Sequence, residues 1–316
     1  MYSLLIPNRQ IIYLNLISYY QIHFRISTIS VIVIWTLKHK RRMVMQLINE
    51  IRIPRRKPYS HKGDYGRILL IGGNQNMGGS IMIAARACVY SGGGLTTVAT
   101  HHSNHTALHS RCPEAMVSDI NDIKRLTKLI ENADCILIGP GLGLDFQGNN
   151  VLTLLFQHIK EEQSLIIDGD AITILSKLKH PFPKCNVILT PHQMEWERIS
   201  GISIDEQTPE LNRIKANEFG AHVILKQHET ELYLKSGDYK ITVGDPAMAS
   251  GGMGDALAGI IASFIGQFDT EEAIKQAVYI HSLIGDKLAR DMYVVPPSAI
   301  IDQLPYMMKE LEEDEA

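Results

Sequence analysis

The residues best suited to ligand binding and catalysis form one short run, from Ala249 to Gly259. It reads Ala-Ser-Gly-Gly-Met-Gly-Asp-Ala-Leu-Ala-Gly. Gly251, Gly252 and Gly254 allow a tight turn and a close approach of the backbone to a ligand. A helix-forming run follows from Ala256, so the turn presents unpaired N–H groups and the positive end of a helix dipole. The pattern predicts an anion site, and phosphate is the expected anion.

Asp255 stands among these donors, where a carboxylate repels a phosphate. One interpretation is a general base beside a phosphoryl group that is being transferred. The other is an acid in the first helical turn, which stabilises the helix dipole by less than about 1 kcal/mol. The motifs in the rest of the chain favour the base.

These motifs need a scaffold that brings them together. Short apolar runs alternate with helical patterns, which predicts an α/β fold with a mostly parallel sheet and helices on both faces. Two runs split by Ser236-Gly237-Asp238 predict an antiparallel hairpin, 231–235 and 239–242, at one edge of the sheet. The predicted parallel strands are 67–71, 95–100, 115–117, 135–138, 165–167, 187–189 and 223–226, and the predicted helices are 81–90, 122–131, 148–160, 172–176, 208–219, 256–264, 271–290 and 297–311.

Two loops at the carboxyl ends of the predicted strands are candidates for ligand contact, because ligands of open parallel sheets bind at that edge. Gly-Pro-Gly-Leu-Gly, at 139–143, follows one strand and either allows backbone contact with a flat or charged ligand or is a plain turn. Asp168-Gly169-Asp170 follows the next strand. For Asp170, a helix N-cap and a ligand contact both remain open.

Two further strands end at residues of interest. Thr190-Pro191-His192 follows one of them, and His192 is either a ligand contact or a surface histidine. Glu195 is either the partner of a capping box or an acid near a phosphate. Lys226 ends the other strand, and it either faces a nucleotide or lies along the surface with its charge in water.

Composition limits the possible partners. The chain of 316 residues has a net charge of −3, but residues 1–49 hold six Lys or Arg and no acid, which leaves 25 basic and 34 acidic residues, a balance of −9, in the remainder. An acidic body argues against nucleic acid as a partner. Four scattered cysteines without a CxxC pair argue against a zinc site and are typical of a reduced, cytoplasmic protein.

The first 44 residues differ from the rest. Their apolar run at 29–37 is shorter than the roughly 20 residues that span a bilayer. Three interpretations remain: a segment translated from upstream of a true start at Met43 or Met45, a poorly ordered tail, or a membrane anchor. We expect 45–316 to form one domain, and a protein beginning at Met45 to keep full activity and stability.

Seven motifs follow one another along the chain: Ser-His-Lys-Gly-Asp-Tyr-Gly-Arg (60–67), Ile-Gly-Gly-Asn (71–74), Met-Gly-Gly-Ser (77–80), Gly-Pro-Gly-Leu-Gly (139–143), Asp-Gly-Asp-Ala (168–171), Thr-Pro-His (190–192) and Gly-Gly-Met-Gly-Asp (251–255). Taken in this order, they resemble the NAD(P)H-hydrate dehydratases of the ribokinase-like superfamily over about 45–312. Two positions depart from that family's pattern: Met194 replaces a common glycine, and Gln227 replaces the glycine that commonly follows the lysine.

The resemblance implies an enzyme that repairs hydrated NADH and NADPH. Members remove water from the S epimer; bacterial members use ADP and give AMP and phosphate, and eukaryotic members use ATP. It implies Mg²⁺ on the phosphates, a homotetramer, and no membrane. Asp255 then takes the hydroxyl proton, and Gly251, Gly252 and Gly254 form an anion hole. The residues implied to touch the hydrated dinucleotide are Gly79, Ser80, Gly141, His192 and Asp255, and those implied to hold the adenine nucleotide are Lys226, Gln227, His228, Glu229, Thr230 and Gly254.

Two other functions remain possible on this pattern. A small-molecule kinase of the same superfamily, acting on a vitamin precursor or a sugar, shares the Asp255 loop. The motifs at 60–66 and 139–143 favour the dehydratase. A non-catalytic nucleotide sensor is disfavoured because the candidate base, Asp255, is present.

Overall fold

A computed structural model describes residues 45–178 and 181–313 of the chain. The predictions for residues 1–44 therefore lie outside the described residues. The second unit of the chain, Met45–Ala316, is one compact body, and a sheet of ten strands runs through it.

The sheet has the strand order β1-β10-β9-β8-β7-β6-β5-β2-β3-β4. All neighbours from β8 to β4 are parallel, so their carboxyl ends meet at one edge. This confirms the predicted α/β fold. The strands are β1 (Gln46–Leu47), β2 (Arg67–Ile71), β3 (Leu95–Thr100), β4 (Met116–Asp119), β5 (Cys135–Ile138), β6 (Ser164–Ile167), β7 (Asn186–Leu189), β8 (His222–Leu225), β9 (Glu231–Leu234) and β10 (Gly237–Lys240).

The predicted hairpin is present as β9 and β10, which pair antiparallel, and β9 is also antiparallel to β8. The hairpin is not the outermost element, however, because β1 pairs in parallel with β10. A strand of two residues carries no alternating pattern in the sequence, which is why this edge was not predicted.

Helices cover both faces of the sheet. They are α1 (Gly78–Tyr90), α2 (His105–Arg111), α3 (Ile123–Asn132), α4 (Phe146–His158), α5 (Gly169–Leu178), α6 (Gln193–Ser200), α7 (Pro209–Phe219), α8 (Met253–Ile265), α9 (Thr270–Ala289) and α10 (Pro297–Glu310). The predicted ranges lacked α2, a short helix rich in polar residues, and α6, of which only the start was anticipated through the capping box of Glu195.

Alternation along the strands divides the core into two clusters. In β2, Ile68 and Leu70 face α1, α8, α9 and α10, whereas Leu69 and Ile71 face α3 to α7. Successive strand residues point to opposite faces, so a run that is apolar throughout is buried on both sides.

The two helices that carry the candidate site lie against each other on the first face. A Cβ added at Gly259 of α8 would lie 2.2 Å from the carbonyl oxygen of Ala84 in α1, so only glycine permits this approach. Both helices also begin earlier than predicted, at Met253 and Gly78. Gly254 and Asp255 therefore belong to the first turn of α8, and Gly79 and Ser80 to the first turn of α1.

Candidate active site

The start of α8 has the features of an anion site. Its N-cap, Gly252, has a φ of 88° and makes no side-chain cap hydrogen bond, so N–H groups of the first turn are left for another acceptor. A Cβ at Gly252 would lie 2.6 Å from Cδ1 of Ile83, so a larger residue would have to displace that side chain and would also strain the backbone. The backbone here is arranged for a ligand rather than for a side-chain cap.

Asp255, in that first turn, is half-buried. Burial raises the pKa of its carboxyl from 3.8 to about 6, and the charges of Asp168 and Asp170 act in the same direction. A hydrogen bond with Ser80 and the charge of Lys226 oppose the rise. A carboxylate with a raised pKa beside an anion site has the proton affinity that a general base requires.

Lys226 supplies a cation beside the same helix start. Its Nζ lies 2.7 Å from Oδ1 of Asp168 and would lie 3.3 Å from a Cβ at Gly254. Burial lowers the pKa of Lys226, but the charges of Asp168, Glu195 and Asp255 outweigh burial and leave the pKa raised. The ammonium is therefore charged and lies where a phosphate at α8 would need it.

The glycine loop after β5 lies against the start of α1. Gly141 has a φ of 59°, and a Cβ there would be 2.4 Å from the carbonyl oxygen of Met77 and 3.1 Å from Cβ of Ser80. Oδ2 of Asp170 accepts a hydrogen bond of 2.8 Å from the N–H of Gly143. Asp170 is not an N-cap, as one interpretation had it, because α5 already begins at Gly169; its carboxylate instead holds the glycine loop.

His192 is the N-cap of α6 and forms a capping box with Glu195. Its Nδ1 accepts a hydrogen bond of 3.2 Å from the N–H of Glu195, and the Glu195 side chain accepts one of 2.8 Å from the N–H of His192. Burial and the charge of Lys226 lower the pKa of His192. The imidazole is thus a neutral, half-exposed group, and the prediction of Glu195 as a capping-box partner is confirmed.

Burial raises the pKa of Glu195 to about 6, against the attraction of Lys226. The loop of His192 is also joined to Lys226 by a parallel bridge, in which the N–H of Lys226 donates to the carbonyl of Pro191 at 2.8 Å. The histidine and the lysine therefore occupy one continuous edge of the site.

The predicted site residues fall into three groups: those that lie together at the carboxyl edge, two glycines beside open space, and the loop that continues from Lys226. The structure brings together Ser80, Gly141, His192, Lys226, Gly252, Gly254 and Asp255 at the carboxyl edge. Gly79 and Gly251 border open space, since a Cβ at either would meet no atom within 4 Å.

The loop that continues from Lys226 leads away to the hairpin. Glu229, at a φ of 60°, pairs with Lys240 at 2.5 Å. The carbonyl of Thr230 accepts from the N–H of Ile241 at 3.0 Å. Gln227 and His228 lie between these anchors and Lys226, and His228 is exposed.

Sequence reasoning assigned no role to Asp168, Thr190 or His281. Asp168 and Thr190 each stood in a noted motif, so their positions directly after strands were the available signal. His281 lies inside α9, buried, with an Nε2 that has no hydrogen-bond partner among the described residues. Burial lowers its pKa to about 4, against a hydrogen bond with the backbone of Met253. No sequence pattern distinguishes it from a core histidine.

An uncapped helix start, a cation and a half-buried carboxylate at the carboxyl edge of a parallel sheet suit phosphoryl chemistry, and the fold is that of the ribokinase-like proteins. Within that class, the chain belongs to the NAD(P)H-hydrate dehydratase family, whose model matches residues 68–306. The predicted resemblance is confirmed.

Individual relatives agree with this assignment. The ADP-dependent (S)-NAD(P)H-hydrate dehydratase of Staphylococcus aureus is 64% identical over 271 residues, which cover 85% of this chain and 98% of the relative. A solved ribokinase-like superfamily protein from Enterococcus faecalis V583 has a TM-score of 0.83 and 45% identity, over 85% of this chain and 96% of that one. The Bacillus subtilis ADP/ATP-dependent NAD(P)H-hydrate dehydratase, co-crystallised with ATP/Mg²⁺, has a TM-score of 0.75 and 27% identity, over 83% and 95%.

In residues 45–178 and 181–313, no group of three or more His, Cys, Asp or Glu side chains is placed to hold a metal ion. No helix in the same residues has the length and apolar character needed to cross a bilayer.

Proposed function

We propose that the chain dehydrates the S epimer of NAD(P)H-hydrate to NAD(P)H, with ADP as co-substrate and AMP and phosphate as products. The observation that carries this proposal is the placement of the Asp255 carboxylate and the Lys226 ammonium at the uncapped start of α8. A hydroxyl acceptor and a nucleotide phosphate meet there with a base and a cation already in position. The activity restores nicotinamide nucleotides that hydration has damaged.

The residues fit a route through a phosphorylated intermediate, because phosphate leaves a ring carbon far more easily than hydroxide. The substrate hydroxyl attacks the terminal phosphorus of ADP, its proton passes to Asp255, and the bond to the bridging oxygen breaks to release AMP. The C–O bond then breaks, phosphate leaves with the electron pair, and a proton is lost from the adjacent ring carbon. The new double bond completes the dihydropyridine.

Each part of the site receives a role in this route. Asp255 is the base, and the N–H groups around Gly251, Gly252 and Gly254 bind the transferring phosphoryl group. Lys226 neutralises phosphate charge beside Gly254. The hydrated dinucleotide binds along Gly79, Ser80, Gly141 and His192. The adenine nucleotide binds along Lys226, Gln227, His228, Glu229 and Thr230.

Mg²⁺ is proposed as the companion of the nucleotide. When bound, it neutralises charge on the phosphates. In the described part of the chain, no group of three or more His, Cys, Asp or Glu side chains is placed to hold a metal ion, and Mg²⁺ at nucleotide sites is ligated largely by phosphate oxygens and water. We assign it no protein ligand.

The remaining proposals concern the setting of the enzyme. We place it in the cytoplasm, since all four cysteines are free thiols, and we expect neither nucleic acid nor membrane as a partner. We expect a homotetramer, as the family resemblance implies. Light scattering on the purified protein tests the oligomeric state.

The activity is tested by following absorbance at the NADH band after hydrated NADH is mixed with the enzyme and ADP, or with ATP. We expect the absorbance to rise with ADP while AMP and phosphate form in equal amounts. The R epimer is the matched control and stays unchanged. No rise with either nucleotide contradicts the proposal, and phosphorylated product without NADH identifies a kinase instead.

A further inference from the structure

Three neighbouring parallel strands, β6, β7 and β8, each end directly before a polar residue: Asp168, Thr190 and Lys226. Oδ1 of Asp168 accepts a hydrogen bond of 2.6 Å from Oγ1 of Thr190 and one of 2.7 Å from Nζ of Lys226. We refer to these three residues as the strand-end triad. Because one carboxylate oxygen accepts from both neighbours, the triad ties the three strand ends together at the edge where the site lies.

The stability of the fold is a weak explanation for this arrangement. The side chain of Asp168 is 4% exposed and that of Lys226 is 21% exposed. Removing two charges from water is costly, and well-packed apolar residues of the same volume are often at least as stabilising as a buried ion pair. The location of the triad beside a reaction site gives the better reason for it.

The triad determines where the Lys226 ammonium lies. Asp168 uses one of the three N–H donors of Nζ, which leaves two for a ligand, and Nζ is close to Gly254 in the first turn of α8. Glu195 and Asp255 are the other carboxylates that attract this ammonium, and of these two Asp255 shares the first turn of α8 with Gly254. Without Asp168, Lys226 is drawn toward Asp255, and a base that is paired with a cation is a poor proton acceptor.

We propose that Asp168 is a positioning residue of the dehydration: with Thr190, it holds Lys226 over the start of α8 and away from Asp255. The ammonium is then ready for the phosphate, and the base remains available for the hydroxyl proton. Charge that is fixed in advance needs no reorganisation during the reaction. This inference rests on the roles proposed above for Asp255 and Lys226.

The pH dependence of turnover gives this role a signature. The groups that face Asp255 are Ser80 from α1, Asp168 directly after β6, Asp170 from the first turn of α5, and Lys226 directly after β8. Asp168 raises the pKa of Asp255 and Lys226 lowers it. In Asp168→Asn, the first influence is lost and the second grows, so the acid limb of turnover moves to lower pH.

The test compares Asp168→Asn with the wild type in kcat, KM for ADP and the pH profile of kcat. We expect kcat to fall at least about tenfold, since small misplacements of reacting groups are costly. We expect KM for ADP to change less than about threefold, because removing a negative charge near phosphate offsets the loss of lysine orientation. A kcat within about twofold of the wild type, or an unmoved acid limb, overturns the proposal.

A matched control is available in a second buried pair, Arg213 and Asp238, which lies between α7 and β10. Asp238→Asn removes a largely buried, cation-bound carboxylate, with a side chain 10% exposed, away from the site. We expect it to lower the thermal midpoint and to leave kcat, KM and the acid limb unchanged. If Asp168→Asn shows the same pattern as Asp238→Asn, Asp168 has only a structural role.

Thr190 provides a second variant that keeps every charge. Thr190→Val removes one hydrogen bond to Asp168 and should reduce kcat several-fold, and Thr190→Ser should restore it. If Asp168→Asn does not fold, this pair decides, and equal kcat in Val and Ser overturns the proposal. A failure of the proposed function is distinguishable, because the wild type itself then forms no NADH.

Discussion

Two buried ion pairs in this molecule use similar chemistry for different purposes. Arg213 and Asp238 join α7 to β10, with side chains 14% and 10% exposed. Nε of Arg213 donates to Oδ1 of Asp238 at 2.6 Å, and Nη2 donates to the carbonyl of Gly237 at 2.9 Å. The guanidinium also lies 5.5 Å from the ring centre of Tyr233. Its donors are satisfied by neighbouring elements, and they secure the hairpin to the helix.

The pair of Asp168 and Lys226 differs in what surrounds it. Its cation keeps donors to spare beside an uncapped helix start, and Asp255 and Glu195, two carboxyls with raised pKa values, lie near it. Burial alone does not distinguish a functional pair from a structural one. Unsatisfied donors and titratable neighbours do, because they leave interactions for a ligand to complete.

The functional role of the Asp168–Lys226 pair depends first on Asp255 being the base. Asp255→Asn cannot accept the hydroxyl proton, so we expect turnover to fall by about 10² to 10⁴. Nucleotide affinity should be kept or slightly improved, since a negative charge near phosphate is removed. Turnover within about threefold of the wild type would contradict the role.

Stability of the same variant separates the base from a helix-dipole residue. The folded pKa of Asp255 is raised from 3.8 to about 6. Ionising it therefore costs folding free energy as the pH rises from 3.8, and the cost is complete above about 6. At pH 7, Asp255→Asn should unfold at the same or a higher temperature, whereas loss of a favourable dipole interaction would lower the midpoint.

In the structural pair, Asp238→Asn leaves Arg213 buried without its charge partner. We expect a loss of about 3 kcal/mol in the free energy of unfolding, with kcat unchanged. Urea unfolding and the NADH assay on one preparation measure both. A variant with normal stability would mean that the hairpin is held by other contacts.

The pH profile of kcat in the wild type tests the functional pair, because Asp255 titrates beside it. With a pKa of about 6, Asp255 is increasingly protonated below that pH, so kcat should fall about tenfold per pH unit there. Glu195 also has a pKa of about 6, so Glu195→Gln, which keeps a capping-box side chain, is the control. An acid limb that disappears in this variant would reassign the titration to Glu195.

The smallest effect concerns His192, which is both an N-cap and a candidate substrate contact. We expect His192→Ala to raise KM for the hydrated dinucleotide about two- to tenfold, the value of one hydrogen bond, with little change in kcat. His192→Asn retains a good N-cap but loses the imidazole. If Asn restores KM, only the cap matters; if both variants raise KM and only Ala lowers the thermal midpoint, the contact is real.

The scaffold and the loop that carries the base could both be predicted from the amino-acid sequence. Apolar runs such as Ile68–Ile71 are buried on both faces, so their pattern alone predicts parallel strands between helices. The three glycines before Asp255 predicted an anion site at a helix start because a tight turn with unpaired N–H groups is a local property. The motif order then identified the family.

The contacts between side chains that are distant in the sequence follow from the tertiary structure alone. Asp168 and Lys226 are 58 positions apart in the chain yet lie 2.7 Å apart, because β6, β7 and β8 are parallel and end at one edge. The sequence allowed Asp170 to be a helix N-cap, whereas in the structure its carboxylate accepts a hydrogen bond from the N–H of Gly143. The raised pKa of Asp255 has the same origin: burial and the charge of Asp168 depend on distances that no local pattern contains.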